Sequence, residues 1–207
     1  MIQGTTMQNW AVFTGDIVRS SDMTPQVLSG VMAALEDAAR SIGQWPDSTT
    51  AFVRFRGDGW QMALPPVYAL RAALVVRAAV RATGKGHDTR IGIGIGAGSL
   101  QGGDLSGADG PAFVQSGHAL DMLKRAPRLA APDAPQALRI ALPLADRIAQ
   151  GWTPKQAQVV AALLAPVAPT QDALAQTLGR SRQMTQKQAD AAGLGALLDS
   201  CDAFEDS

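Results

Sequence analysis

Val53-Arg54-Phe55-Arg56-Gly57-Asp58-Gly59-Trp60-Gln61-Met62 is the stretch from which the rest of the chain is best read. Apolar and polar residues alternate into a Gly-Asp-Gly step and alternate out of it, the pattern of a β-hairpin with strands near 50–56 and 60–64. Asp58 stands at its tip between two glycines, a carboxylate with no neighbouring side chain to cover it. Upstream, Trp10-Ala11-Val12-Phe13-Thr14-Gly15-Asp16 reads as a buried central strand that ends in a second carboxylate. Between the two, Thr24 is an N-cap and Pro25 a first helical residue. Val27, Leu28, Val31, Met32, Leu35, Ala38, Ala39 and Ile42 follow at three- and four-residue spacing, predicting an amphipathic helix that stops near Gly43.

Past the hairpin, Pro65-Pro66 opens a helix over roughly 66–83, with Leu70, Leu74 and Ala78 inward and Arg71, Arg77 and Arg81 reaching solvent. Thr89 to Ala97 then alternates Ile91, Ile93 and Ile95 with Gly92, Gly94 and Gly96. This is a strand whose glycine side lets something large approach. The order β-α-β-β-α-β is that of the split βαβ, ferredoxin-like unit, an α+β sheet with helices on one face. In that topology the first and third strands are antiparallel neighbours. Asp16 and Asp58 therefore meet at one end of the sheet.

Two adjacent carboxylates repel unless a cation lies between them or one is protonated. An all-oxygen pair suits Mg²⁺ or Mn²⁺, which keep waters and take substrate phosphates as further ligands. Gly15, Gly57 and Gly59 leave room for a triphosphate beside it. Taken singly, each aspartate reads as an ordinary turn residue before it reads as a ligand; the pairing carries the metal reading.

Residues 98–110 are glycine-rich and read as a loop, with Asp104 a turn residue. Pro111 starts a helix running to about Pro127, Ala137 to Leu142 suits a sheet-edge strand, and Pro143 to Gln150 a short helix. Gly151-Trp152-Thr153-Pro154 marks a boundary between a domain over 8–150 and a helical one over 151–207 that ends in a short acidic tail. Helices are expected over 154–165, 170–178 and 181–192. Thr170 to Ser181 has the helix-turn-helix form, with Leu174 and Leu178 inward and a turn at Gly179. The DNA-contacting candidates are Arg180, Arg182, Gln183, Thr185, Gln186 and Lys187. From Gly151 onward four cations face six acids, a net charge of −2, although the presumed recognition surface is itself mildly basic.

The 207-residue chain is 46% hydrophobic and 17% charged, with 18 basic and 18 acidic residues, so a packed core is expected and a strongly basic nucleic-acid binder is not. The single cysteine, Cys201, excludes an intramolecular disulfide and points to a cytoplasmic setting. No signal peptide or bilayer-spanning run is recognised, so no membrane partner is expected. Two histidines and one cysteine give no nucleophilic triad.

Val12-Phe13-Thr14-Gly15-Asp16-Ile17-Val18, Arg56-Gly57-Asp58-Gly59-Trp60 and Arg90-Ile91-Gly92-Ile93-Gly94-Ile95-Gly96 resemble the class III nucleotidyl cyclase catalytic domain. Together with Arg19-Ser20, Gly110-Pro111-Ala112-Phe113 and the final helix-turn-helix, they look more closely like the SatD family. The resemblance implies a cyclase-like palm joined to a helix-turn-helix domain, with Asp16 and Asp58 as metal ligands. It also implies a nucleotide held near Gly15, Ile17, Gly57, Gly59 and Gln115, and a homodimer, since cyclase sites form between subunits. Cyclases place an Asn and an Arg on the helix after the glycine-rich segment. Here Phe113-Val114-Gln115-Ser116-Gly117-His118-Ala119-Leu120 offers Gln115 for the amide and His118 as a weaker cation, with no arginine before Arg125. The expectation is a soluble regulator that binds a metal and a nucleotide and contacts DNA or a partner. The alternatives are an active metal-dependent cyclase or nucleotidyltransferase, and a catalytically dead palm that serves DNA binding alone.

Overall fold

The computed structural model describes residues 7–55, 57–101, 104–124 and 126–207. Arg56 of the hairpin, Gly102 and Gly103 of the glycine-rich stretch, and Arg125 lie outside the described residues. The protein is a mixed α+β structure, with an open six-stranded sheet and eight α-helices among the described residues.

The strands are β1 (Gln8–Ile17), β2 (Ala51–Arg54), β3 (Gly59–Leu64), β4 (Thr89–Gln101), β5 (Asp104–Asp109) and β6 (Leu129–Ala130). Their order is β2-β3-β1-β4-β5, with β6 beside β4. All neighbours are antiparallel except β4 and β6, which run parallel through Ile91–Leu129 and Gly92–Ala130. The strand read as central is therefore central, flanked by β3 and β4. The 98–110 stretch expected as a loop is instead the end of β4 hairpinned onto β5. Its glycines mislead because they relieve close packing within strands as well as marking turns. Gly98 lies against Phe113, and Gly110, at φ 133°, against the backbone of Ala97.

Helix α1 (Pro25–Ile42) starts as the sequence predicts, with the Thr24 hydroxyl accepting from Val27 N–H and Pro25 in the first turn. It buries Val31, Met32, Leu35, Ala38, Ala39 and Ile42, while Val27 stays exposed. Helix α2 (Ala69–Ala82) follows a 3₁₀ turn at Pro66–Tyr68. Both pack against the β1 face that carries Ala11, Phe13 and Ile17. Trp10 and Val12 point the other way, into a smaller cluster with Ala51, Ala63, Leu105 and Ala112.

That second face carries α3 (Pro111–Met122), so helices cover both faces of the sheet and not one as expected. The physical reason is the glycine ladder. A Cβ on Gly92 or Gly94 would lie inside 3.0 Å of the backbone of Ala112, Ser116 or Leu120. The large body that approaches the glycine side is thus the backbone of α3 itself.

Ala137–Gln150, expected as a strand and then a short helix, is one helix, α4 (Gln136–Gln150), with Pro143 inside it. Leu138, Leu142, Ala145 and Ala149 recur at helical spacing and are buried, and that burial outweighs the hydrogen bond Pro143 cannot make. The short strand of this region is instead β6, which pairs with β4. Beyond Thr153, which closes a capping box with Gln156, come α5 (Pro154–Leu163), α6 (Gln171–Thr177), α7 (Arg182–Ala191) and α8 (Leu194–Glu205). The stretch expected as an acidic tail is therefore helical, burying Leu194, Leu197 and Cys201. One buried cluster runs from α1 and α2 through α4 and α5 to α8.

Two arginines expected at the surface are buried. Arg77 is 0% exposed and forks onto both oxygens of Asp88 at 2.9 Å, while its other nitrogen reaches Asp146. Arg71, 2% exposed, holds Glu205 and Asp202 of α8 at 2.5 Å each and the Leu164 carbonyl at 2.9 Å. Arg81, half-buried, also reaches Asp88, at 3.0 Å, and the carbonyls of Gln150 and Trp152. Burying a guanidinium is costly unless its donors are met; acids and carbonyls engage every side-chain nitrogen of Arg71 and Arg77, while Nε of Arg81 has no partner among the described residues.

Candidate functional site

Asp16 closes β1 and pairs across the sheet with Gly59 of β3 on one side and Arg90 of β4 on the other. Asp58 precedes Gly59, so the hairpin turn delivers it to the same sheet end as Asp16. The juxtaposition follows from strand order and register. Gly59 is directly opposite Asp16, and among the described residues a Cβ there would meet only Phe55, at 3.6 Å. Gly57, with φ 86°, takes the left-handed conformation that glycine favours, and nothing lies within 4 Å of where its side chain would start.

Each carboxylate is held by the protein. Arg90 donates to Asp16 through two nitrogens, Nε at 2.8 Å and Nη2 onto the other oxygen, the bidentate fork that best matches a carboxylate. Its third nitrogen donates to the Leu123 carbonyl at 2.5 Å. Hydrogen bonding to Asp16 raises the guanidinium above its ordinary pKa against a partial loss from burial, and the charges of Asp16 and Asp58 add to the rise. Asp58 accepts from the Ser20 hydroxyl. Ser20 is placed by the turn after β1, where Arg19 adopts the left-handed conformation at φ 56° and ψ 38°. A non-glycine residue there carries strain that the surrounding structure must offset.

These donors fit one kind of cation. No group of three or more His, Cys, Asp or Glu side chains converges among the described residues, and both oxygens of Asp16 are already engaged. A resident metal needs more ligands than that. A Mg²⁺ or Mn²⁺ that arrives with phosphates needs only one or two carboxylates, and two are present.

The other nucleotide candidates divide. Gly15 does not make room for a ligand: a Cβ on it would strike the buried indole of Trp60, which donates to Thr89 Oγ1 at 3.1 Å. Ile17 is 2% exposed and offers backbone alone. Gln115 is not brought to the pair. Its side chain lies over Gly94, four strand residues from Arg90, which is about 13 Å along the sheet. The α3 position facing Thr14 is Ser116, whose hydroxyl lies 2.7 Å from that of Thr14.

Sequence reasoning missed the cations. Arg19, Arg90, Lys124 and Arg128, with Ile17 and Val18, line a cleft of about 560 Å³ beside the aspartates. They come from three separate segments, so although Lys124 and Arg128 belong to one short basic run, nothing local ties that run to Arg19 and Arg90.

In the C-terminal helices, α6 and α7 are joined by a turn in which Gly179 has φ 61°. Arg180 N–H closes back on Ala175. The Thr170 and Ser181 hydroxyls cap the two helices. Of the proposed DNA contacts, Arg182, Gln183 and Lys187 are exposed on α7. Gln186, half-exposed, donates to Asp190 at 2.6 Å. Thr185 is buried with its hydroxyl on the Ser181 carbonyl, and Arg180 turns back to Gln158 at 2.7 Å, so neither faces outward for docking. Among the described residues no helix is long and apolar enough to cross a membrane. No protein-family model matches the chain, and no curated protein matches it.

Proposed function

We propose that this protein is a ligand-responsive regulator. A cyclase-like, ferredoxin-like palm binds a nucleotide together with Mg²⁺ or Mn²⁺ at Asp16 and Asp58, and a helix-turn-helix formed by α6 and α7 contacts DNA. The observation that carries this reading is the convergence of Asp16, near the end of β1, and Asp58, in the turn before β3, on one sheet end where Gly59 stands opposite Asp16. Carboxylates so placed supply two ligands to a cation whose remaining ligands are phosphate oxygens and water. The bound cation neutralises charge between phosphates and carboxylates; Ser20 orients Asp58 and Arg90 orients Asp16.

Binding is favoured over turnover because α3 carries no arginine to neutralise charge that grows in a transition state. The DNA surface reduces to Arg182, Gln183, Gln186 and Lys187 on α7. In a homodimer, as the resemblance implies, ligand occupancy would alter the spacing of two such helices and so their fit to two half-sites. The test is calorimetric titration of ATP and GTP with Mg²⁺ into the wild type, Asp16→Asn and Asp58→Asn, with DNA retention of the same samples measured against salt. Saturable binding whose Mg²⁺-dependent part is lost in both variants supports the reading; no heat with either nucleotide overturns it.

A further inference from the structure

The cations beside the aspartate pair carry an inference about what enters first. Arg19 and Lys124 are exposed, and among the described residues neither is in an ion pair. Arg90 is spoken for by Asp16. Arg128 approaches Asp88 only at 3.7 Å, while Arg77 and Arg81 hold the same carboxylate at 2.9 and 3.0 Å. Three side chains with unspent donors therefore face one concave cleft. Three converging cations exceed what a single carboxylate neutralises. The concave shape also differs from the extended stripe that tracks a nucleic-acid backbone. Guanidinium and ammonium groups around a pocket match the closely spaced charges of a di- or triphosphate.

The geometry points to a polyphosphate subsite formed by Arg19, Lys124 and Arg128, which holds the phosphate chain by direct charge without needing a metal. It rests on the reading of this sheet end as a nucleotide site and assigns the phosphate contacts within it. Arg90 of the cleft wall holds Asp16 and feels the charge of Asp58, so the two aspartates oppose the bare anion and favour it once a divalent cation joins. Arg128 is shared with the buried cluster around Asp88, so anion and Asp88 compete for its guanidinium. The fold does not depend on that contact, since Asp88 keeps Arg77 and Arg81.

The experiment is titration of inorganic tripolyphosphate, and separately of ATP, into the full chain at low ionic strength in EDTA. The variants are Lys124→Ala, Arg128→Ala, Arg19→Gly and Asp58→Asn; Arg19→Gly removes the cation while easing the left-handed backbone. Saturable binding of tripolyphosphate is expected. Each cation variant should weaken it on the order of tenfold, and added salt should weaken it further. Asp58→Asn should bind at least as well as wild type. ATP binding equal to tripolyphosphate supports a site for the chain alone. Tighter ATP binding with the same dependence on Lys124 supports the chain as part of a nucleotide. Unchanged affinity in a Lys124→Ala/Arg128→Ala double variant overturns the subsite. So does binding seen only with Mg²⁺ and lost in Asp58→Asn, an outcome that leaves the aspartate reading standing. No binding with or without Mg²⁺ removes both.

Discussion

Replacing Arg77 with methionine keeps most of the side-chain volume and deletes the charge that two buried acids depend on. Arg77 is 0% exposed, Asp146 1% and Asp88 7%, so water cannot take over the lost bonds. Asp88 retains Arg81, but Asp146 keeps only the Arg128 N–H at 3.3 Å and Gln150 at 2.8 Å against its full charge. Breaking a buried pair from one side costs about 3–5 kcal/mol, because the surviving charge is left unpaired. That is a large part of a typical stability of about 5–15 kcal/mol. With a urea slope of about 2 kcal/mol/M, the unfolding midpoint falls by about 2 M. All four tryptophans are buried, so intrinsic fluorescence follows the transition. Adding Asp146→Asn to Arg77→Met removes the stranded charge and recovers part of the loss, a coupling of about 1–3 kcal/mol. An Arg77→Met protein within about 0.5 kcal/mol of wild type would refute the reasoning and return Arg77 to the surface.

Gly94→Ala forces a Cβ into the backbone of α3 and is expected to cost about 1–3 kcal/mol. Gly96→Ala, with its nearest atoms at 3.9 Å, serves as the control that thermal melts should leave nearly unmoved. Cys201 tests burial at the C-terminus: burial pushes its thiol from an ordinary 9.0 up to about 12, with Arg71 lowering it and Glu205 and Asp202 raising it. Because the folded state holds the proton more tightly, this stability is whole below pH 9 and is lost as pH rises towards about 12. Urea scans at pH 8 and at a pH midway in that window should differ by about 2 kcal/mol more in wild type than in Cys201→Ala. Equal pH dependence, or rapid reaction of the native thiol at pH 8, contradicts the buried placement.

The parts of the fold legible in the sequence are those governed by short-range periodicity. The alternation around Asp58, the Thr24-Pro25 start of α1 and the glycine–isoleucine ladder of β4 each state their geometry within a dozen residues. Strand order then follows from connectivity, and with it the meeting of Asp16 and Asp58. What escaped depends on partners far away in the chain. Arg71 looks like a surface residue until α8 brings Asp202 and Glu205, 131 and 134 residues on, to meet it. Arg77 waits likewise for Asp146, 69 residues on. Pro143 and the glycines of 98–110 carry strong local meanings that tertiary packing overrides. The cleft cations were invisible for the same reason as the buried acids. Arg19, Arg90 and the basic run of Lys124 and Arg128 are far apart in the chain and share only a place in the folded molecule.

The central claim is that Asp16 and Asp58 serve a cation that arrives with a nucleotide, and Mg²⁺ calorimetry with and without ATP or GTP tests it most directly. The account predicts no Mg²⁺ binding to the protein alone, since Arg90 occupies Asp16, and a gain in nucleotide affinity on adding Mg²⁺ that Asp16→Asn and Asp58→Asn abolish. Tight binding of Mg²⁺ by itself, or nucleotide binding indifferent to both substitutions, would contradict it.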